Sequence, residues 1–267
     1  MGSDFDFTIV GPALLAGMLV LSTHVPLGKR VLERGIIFID LAIAQVAGVG
    51  VILANNLGWE AHGWEVQLVA VGAAMLAALS LNVTEKHWPD IQEALIGVLF
   101  VLAATASVLL LADNPHGGEH LKELLVGQIL WVDYRQLLPI AAVYALLLAV
   151  WFRLGSRMPT LGFYLVFAVS ITASVQLVGV YLVFSSLIVP ALATRRLAPR
   201  HQLPAAWCIG LLAYAGGIGL SMVLDYPTGA LVVWVMAVMA MAGAWSLPRL
   251  MRQPSNQAVS ALFQREG

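Results

Sequence analysis

Apolar stretches of about twenty residues recur along nearly the whole chain, separated by short polar or charged segments. A helix of that length crosses a hydrocarbon core of about 30 Å, so the pattern predicts an all-α, polytopic membrane protein. Spans are expected near 7–28, 35–57, 65–84, 92–112, 137–153, 160–178, 205–224 and 227–247. The apolar segment "LVGVYLVFSSLIVPALA" (177–193) continues the sixth of these. As one helix the combined run would be roughly 50 Å long at 1.5 Å per residue, well beyond the membrane core. The chain must therefore turn back, at Gly179, and add a ninth crossing that is short or broken.

The basic residues agree with that number. Lys29, Arg30, Arg34, Lys86, Arg153, Arg157, Arg195, Arg196, Arg200, Arg249, Arg252 and Arg265 fall on one side, and only Lys122 and Arg135 on the other. The positive-inside rule puts the first group in the cytoplasm. The acidic N-terminus (Asp4, Asp6) is then outside and the C-terminus inside, which needs an odd number of crossings. The first Lys or Arg is Lys29, after the first apolar run, so that run is expected to be a retained span and not a signal peptide.

Composition sharpens the class. The 267 residues are 60% hydrophobic and only 11% charged, with a mean hydropathy of +0.86. Soluble domains are roughly 25% charged. A single transmembrane domain is expected over 1–267, with no nucleic-acid partner and membrane lipid around it. The one cysteine, Cys208, excludes an internal disulfide and any multi-cysteine metal site. No G-x-x-x-x-G-K-[ST] phosphate loop is present, so any ATP-driven transport needs hydrolysis by another chain. The loop 194–204, "TRRLAPRHQLP", pairs a basic cluster with two prolines, as a short helix pinned between turns would.

Four blocks carry a family resemblance: "EALIGVLFVLAATASVLLLA" (93–112), "HLKELLVGQILWV" (120–132), "VGVYLVFSSLIVPALATRRLA" (178–198) and "LDYPTGALVV" (224–233). In that order they resemble the ABC-3 type metal-ion permeases, the zinc, manganese and iron permease subunits of ABC importers. The resemblance spans essentially the whole chain. It implies a type II importer fold in a bacterial inner membrane and a homodimeric permease with the path at its interface. The implied partners are a cytoplasmic ABC ATPase and an extracytoplasmic metal-binding protein. It implies a transport subunit without enzyme activity and without a permanently bound cofactor, the divalent metal being substrate. It also implies that 194–204, with Arg195, Arg196 and Arg200, is the coupling element docking on the ATPase.

One departure concerns "RGIIFIDLAIAQVAGVG" (34–50). The family's second-span motif runs approximately D-A-L-S-H-A, with aspartate and histidine on one helix face, where both can ligate a divalent metal. Asp40 matches the aspartate, but Ala44 stands at the histidine position. Gln45 is one residue late and points roughly 140° from Asp40 on an ideal helix.

Asp40 is the first candidate metal contact, because an intramembrane acid usually faces a pathway or a partner. Two blander roles compete: hydration at the cytoplasmic interface, or pairing with Arg34. His24, four residues before the expected end of the first span, lies at the same depth as Asp40 if the spans end as drawn. The two would then form a polar or metal-contacting station on the inner half of the path. His116, Glu119 and His120 in "NPHGGEHLKE" have the H-x-x-E-H spacing of a zinc-type site. They suit a metal-entry contact under the binding protein, or the centre of a membrane-embedded metallohydrolase with Glu119 as base. The bland reading is a solvated loop, since Gly117 and Gly118 weaken a helix there. A stand-alone metal carrier is the remaining alternative. Glu93 suits a capping role. His62 and Glu60 suit an outer loop, and Ser185 and Ser186, in the broken region, suit either the lining of the path or ordinary intrahelical hydrogen bonding, the second being commoner.

Overall fold

In the computed structural model, residues 7–59 and 63–250 are described; Asp4, Asp6, Glu60, His62, Arg252 and Arg265 lie outside them. Ten α-helices follow one another: α1 (Phe7–Arg34), α2 (Ile39–Asn56), α3 (Trp64–His87), α4 (Gln92–Leu110), α5 (Gly117–Val126), α6 (Tyr134–Leu154), α7 (Thr160–Val178), α8 (Val180–Thr194), α9 (Pro199–Leu224) and α10 (Thr228–Leu250). Eight are long and apolar enough to cross a membrane, and α8 is a shorter apolar helix. At 15 residues α8 is roughly 22 Å long, short of the roughly 30 Å core. It is the expected ninth, shortened segment.

Helices α2 and α7 form the middle of the bundle, with 61% of each span buried, whereas only 17% of α4 and of α6 is buried. The peripheral pair therefore presents its apolar side chains outward, as Leu102, Leu109, Leu138 and Leu146 do. The closest approaches run through small residues. Gly17 on α1 receives the ring of Tyr214 on α9, and Gly210 on α9 receives the side chain of Leu21 on α1. Gly28 on α1 lies against the backbone carbonyl of Leu187 on α8, so any side chain there would separate the two helices.

Between α7 and α8 only Gly179 is non-helical, at φ 79° and ψ 162°. A residue with a Cβ rarely adopts that conformation. The backbone of Gly179 packs directly on that of Gly127, itself at φ 71°, and Gly229 at the start of α10 meets the carbonyl of Val126. The helix break is thus covered by the Val126–Gly127 backbone, which the start of α10 backs in turn.

Charged extensions account for the boundaries that differ from expectation. The first helix continues six residues past 28, because Lys29, Arg30, Glu33 and Arg34 sit on a helical turn and Arg30 pairs with Glu33 at 3.5 Å. Arg34 ends that helix among Glu85 (3.4 Å), Thr160 (3.1 Å) and the ring of Phe163, 4.8 Å from the guanidinium carbon. The segment 194–204 is not a separate short helix. Residues 195–198 form a turn, and Pro199 opens α9, where its missing N–H is not needed.

Gly179→Ala is expected to cost about 1–3 kcal/mol of stability through its backbone conformation alone. Gly219→Ala, in a helical position with open space around it, is expected to be neutral or slightly stabilising. Thermal unfolding of the detergent-purified variants separates the two; equal melting temperatures would contradict the role given to Gly179.

Candidate metal path and coupling face

Helix α2 begins with a turn at Gly35 (φ 71°) and a first turn that contains Asp40. Its N-cap residue Phe38 has no side-chain oxygen to offer. Glu93 at the start of α4 supplies one instead, accepting the Phe38 N–H at 3.2 Å. Glu93 is therefore a capping residue, as expected, but it caps the neighbouring helix.

Asp40 is 1% exposed, and neither carboxylate oxygen has a hydrogen-bond partner among the described residues. That excludes hydration at an interface in this conformation. Pairing with Arg34 is excluded too, since that guanidinium is engaged by Glu85, Thr160 and Phe163. Its compensation comes from the N-terminal end of α2, whose dipole favours a negative charge.

His24 is fully buried, its Nδ1 3.0 Å from Thr23 Oγ1 and its Nε2 without a partner. Thr23 Oγ1 accepts from Ser170 Oγ at 3.1 Å, and Tyr144 donates to the Ser170 carbonyl at 3.2 Å and contacts Ser174 Oγ. His24 thus heads a polar chain linking α1, α7 and α6. It does not meet Asp40, whose carboxylate has no hydrogen-bond partner among the described residues. The equal-depth argument fails because α1 runs to Arg34 and α2 starts at Ile39. At 1.5 Å per residue, His24 is roughly 15 Å from its helix end and Asp40 roughly 1.5 Å from its own.

His116 precedes α5 as its N-cap, and Glu119 and His120 lie in its first turns, so the two glycines did not prevent a helix. The three side chains do not converge. His116 pairs with Glu119 at 3.7 Å and His120 with Glu123 at 3.8 Å, all exposed. Among the described residues no three His, Cys, Asp or Glu side chains are grouped to hold a metal.

At the opposite end of the bundle, the one that carries Arg34 and Lys86, Arg195 and Arg196 are exposed on the turn after α8, and Arg200 is exposed in the first turn of α9. Gln202 fixes this turn by donating to the carbonyls of Arg195 (3.3 Å) and Leu197 (3.0 Å). Beside it a groove of about 250 Å³ runs between α1, α8 and α9, with Lys29, Glu33 and Arg195 at its rim.

A larger cavity, about 630 Å³, lies between α2, α4, α5, α8 and α10. Its walls are apolar and aromatic, with Phe100, Phe184, Tyr181 and Trp234 among them. From α2 it is lined by Leu41 and Gln45, residues of the face opposite α5, on which Gly48 meets Leu124. Asp40 and Ala44 lie on another, fully packed face of the same helix. Ser185, donating to the Tyr181 carbonyl at 2.8 Å, lines the cavity from α8; Ser186 is instead bound to the Tyr214 hydroxyl at 2.9 Å.

A family model described as the ABC 3 transport family matches residues 6–158 and 153–246. The chain belongs to the ABC 3 transport family. Two curated relatives are each 24% identical to it. The manganese transport system membrane protein MntC of Halalkalibacterium halodurans aligns over 86% of this chain and 84% of its own length. The high-affinity zinc uptake system membrane protein ZnuB of Haemophilus influenzae aligns over 91% of this chain and all of its own. The fold matches that of PsaBC from Streptococcus pneumoniae, solved in complex with Fab, at a TM-score of 0.72 and 21% identity, covering 89% of this chain and 91% of that one. Membership in the ABC 3 family, together with the divergent pairs around His116 and His120, removes the metallohydrolase alternative.

Gln45 was legible only in part from sequence: its offset from Asp40 was evident, but the open space it faces was not. Glu93→Leu is expected to destabilise the protein by about 1 kcal/mol through loss of the α2 cap, and Glu93→Gln, which keeps an acceptor, by clearly less. Chemical or thermal unfolding measures both; equal losses would mean that the charge, and not the cap, is what matters.

Proposed function

We propose that this chain is the permease of an ATP-driven importer of a divalent transition metal, zinc, manganese or iron. It acts as a homodimer in a bacterial inner membrane, with a separate ABC ATPase and an extracytoplasmic metal-binding protein. The observation that carries this reading is Asp40, a carboxylate buried without a partner inside a transport-family bundle. Such a group costs at least about 2.5–3.5 kcal/mol on insertion scales. A divalent cation that reaches the carboxylate when this packed face opens in the transport cycle offsets that cost, so Asp40 serves as the carboxylate that draws the ion inward. The relatives named for manganese and zinc transport support the same substrate class.

The basic end faces the cytoplasm under the positive-inside rule, with the N-terminus outside and the C-terminus inside. The exposed Arg195, Arg196 and Arg200 then meet the ATPase through desolvated ion pairs. Motion of that turn passes along α8, which ends at Thr194 and lines the large cavity with Tyr181, Phe184 and Ser185. A push on the turn thereby alters the wall of the path. His116, Glu119 and His120, exposed on α5 at the opposite end, face the incoming metal-binding protein as separate His–Glu pairs.

The complex with its ATPase and binding protein, reconstituted in vesicles, is expected to show ATP hydrolysis and metal uptake that rise together with supplied zinc, manganese or iron. Reversing Arg195 and Arg196 to Glu should abolish uptake, leaving membrane insertion intact. Normal uptake by a correctly oriented double variant would refute the coupling role. Asp40→Asn is expected to lower uptake at least ten-fold at normal folded yield; full activity would remove Asp40 from the path.

A further inference from the structure

Near its C-terminal end α1 carries Lys29, Arg30, Glu33 and Arg34, and all but the first are paired: Arg30 with Glu33 at 3.5 Å, and Arg34 with Glu85 at 3.4 Å. Lys29 is half-buried and has no ion pair or hydrogen bond among the described residues. It lines the groove of about 250 Å³ between α1, α8 and α9. Arg195 lines the same groove from the basic turn, and its guanidinium is likewise without a partner among the described residues. The other polar side chains of the groove are engaged. Glu33 holds Arg30, Thr194 donates to the Pro190 carbonyl at 3.0 Å, and Gln202 donates to the backbone of the turn. The uncommitted donors of the groove are therefore two cations, and what they lack is an anion.

The rest of the groove is apolar, with Val25, Leu203 and Ala206 in its wall. Val25 lies roughly 14 Å inside the end of α1, and Ala206 roughly 10 Å inside the start of α9. Both helices are candidate membrane spans, so this part of the groove lies at the depth of the bilayer. A ligand that fills it is anionic at the membrane boundary and apolar further in. An acidic side chain of a soluble partner matches the rim but brings nothing apolar to that depth. A phospholipid has both parts in that order, and basic pockets between transmembrane helices on the cytoplasmic side hold acidic lipid headgroups. A zwitterionic lipid adds a cation of its own, which the two unpaired ones repel; a lipid of net negative charge does not.

We propose that this groove binds one anionic phospholipid of the cytoplasmic leaflet, with its phosphate between Lys29 and Arg195 and the first part of an acyl chain along Val25, Leu203 and Ala206. The lipid joins α1 to the basic turn. The guanidinium fork of Arg195 serves the phosphate on the groove side and an ATPase carboxylate on the other. The site goes beyond the permease reading and shares with it only the orientation, with the basic end cytoplasmic.

For the test, the full-length permease, alone and bound to its ATPase, is incubated in detergent with an equal mixture of phosphatidylglycerol and phosphatidylcholine. It is then separated from free lipid, and the retained lipid is measured by mass spectrometry. Both forms are expected to retain phosphatidylglycerol in preference to phosphatidylcholine, and an excess of inorganic phosphate should not displace it. Lys29→Gln should lower phosphatidylglycerol retention about five-fold, and Lys29→Arg should keep it. Leu203→Trp, which fills the apolar part and leaves both cations in place, should lower retention too, and keeps the test decisive if Lys29→Gln does not fold. Equal retention of the two lipids, or wild-type retention in Lys29→Gln or in Leu203→Trp, would overturn the site. Displacement by inorganic phosphate would make it a free-anion site, and loss of the lipid on ATPase binding would make it a protein interface; either result overturns the proposal. None of these results depends on metal uptake, so the permease reading stands or falls separately.

Discussion

In hydrocarbon a backbone amide without a partner costs several kcal/mol, so a chain can interrupt a helix inside a membrane only where other protein covers the break. The contact of Gly179 with Gly127 meets that condition. It lets α7 end and α8 begin with a single residue between them, and it ties the end of α5 to the same point. Gly229 brings the start of α10 against Val126. The large cavity is bounded by α5, α8 and α10, the helices gathered by this contact, together with α2 and α4. A side chain at either glycine would push these walls apart.

Helix α2 divides its polar groups between two surroundings. Asp40 is buried in packed protein at the start of the helix, where only the helix dipole favours its charge. Gln45 borders open space five residues later.

The membrane class, the shortened crossing and its break at Gly179 were legible because they follow from length: an apolar run too long for one crossing has to turn, and Gly is the residue that permits it. Helix ends were less legible. Lys29, Arg30 and Glu33 read as a loop by hydropathy but continue α1, since helical ion pairing does not register as apolar character. That error, with the later start of α2 at Ile39, produced the His24–Asp40 pair. The H-x-x-E-H spacing fits a helix that His116 opens as N-cap and that holds Glu119 and His120, but spacing does not report that each histidine finds its own glutamate three residues on. The angle between Gln45 and Asp40 is readable from sequence, whereas the open space that Gln45 borders is a property of five helices and not of one.

The same geometry links the two ends of the molecule. The turn at 195–198 is stiffened by Gln202, and its backbone continues without a break into α8. Ser185 lies ten residues from Arg195, roughly 15 Å along one helix. Across that distance α8 is held against α1 by the close approach of Gly28 to Leu187, while Pro190, between Ser185 and Arg195, removes one hydrogen bond from its ladder. A longer α8 would have to cover its start with lipid instead of with α5 and α10. Its shortness is what lets a single helix join the basic turn to the wall of the large cavity.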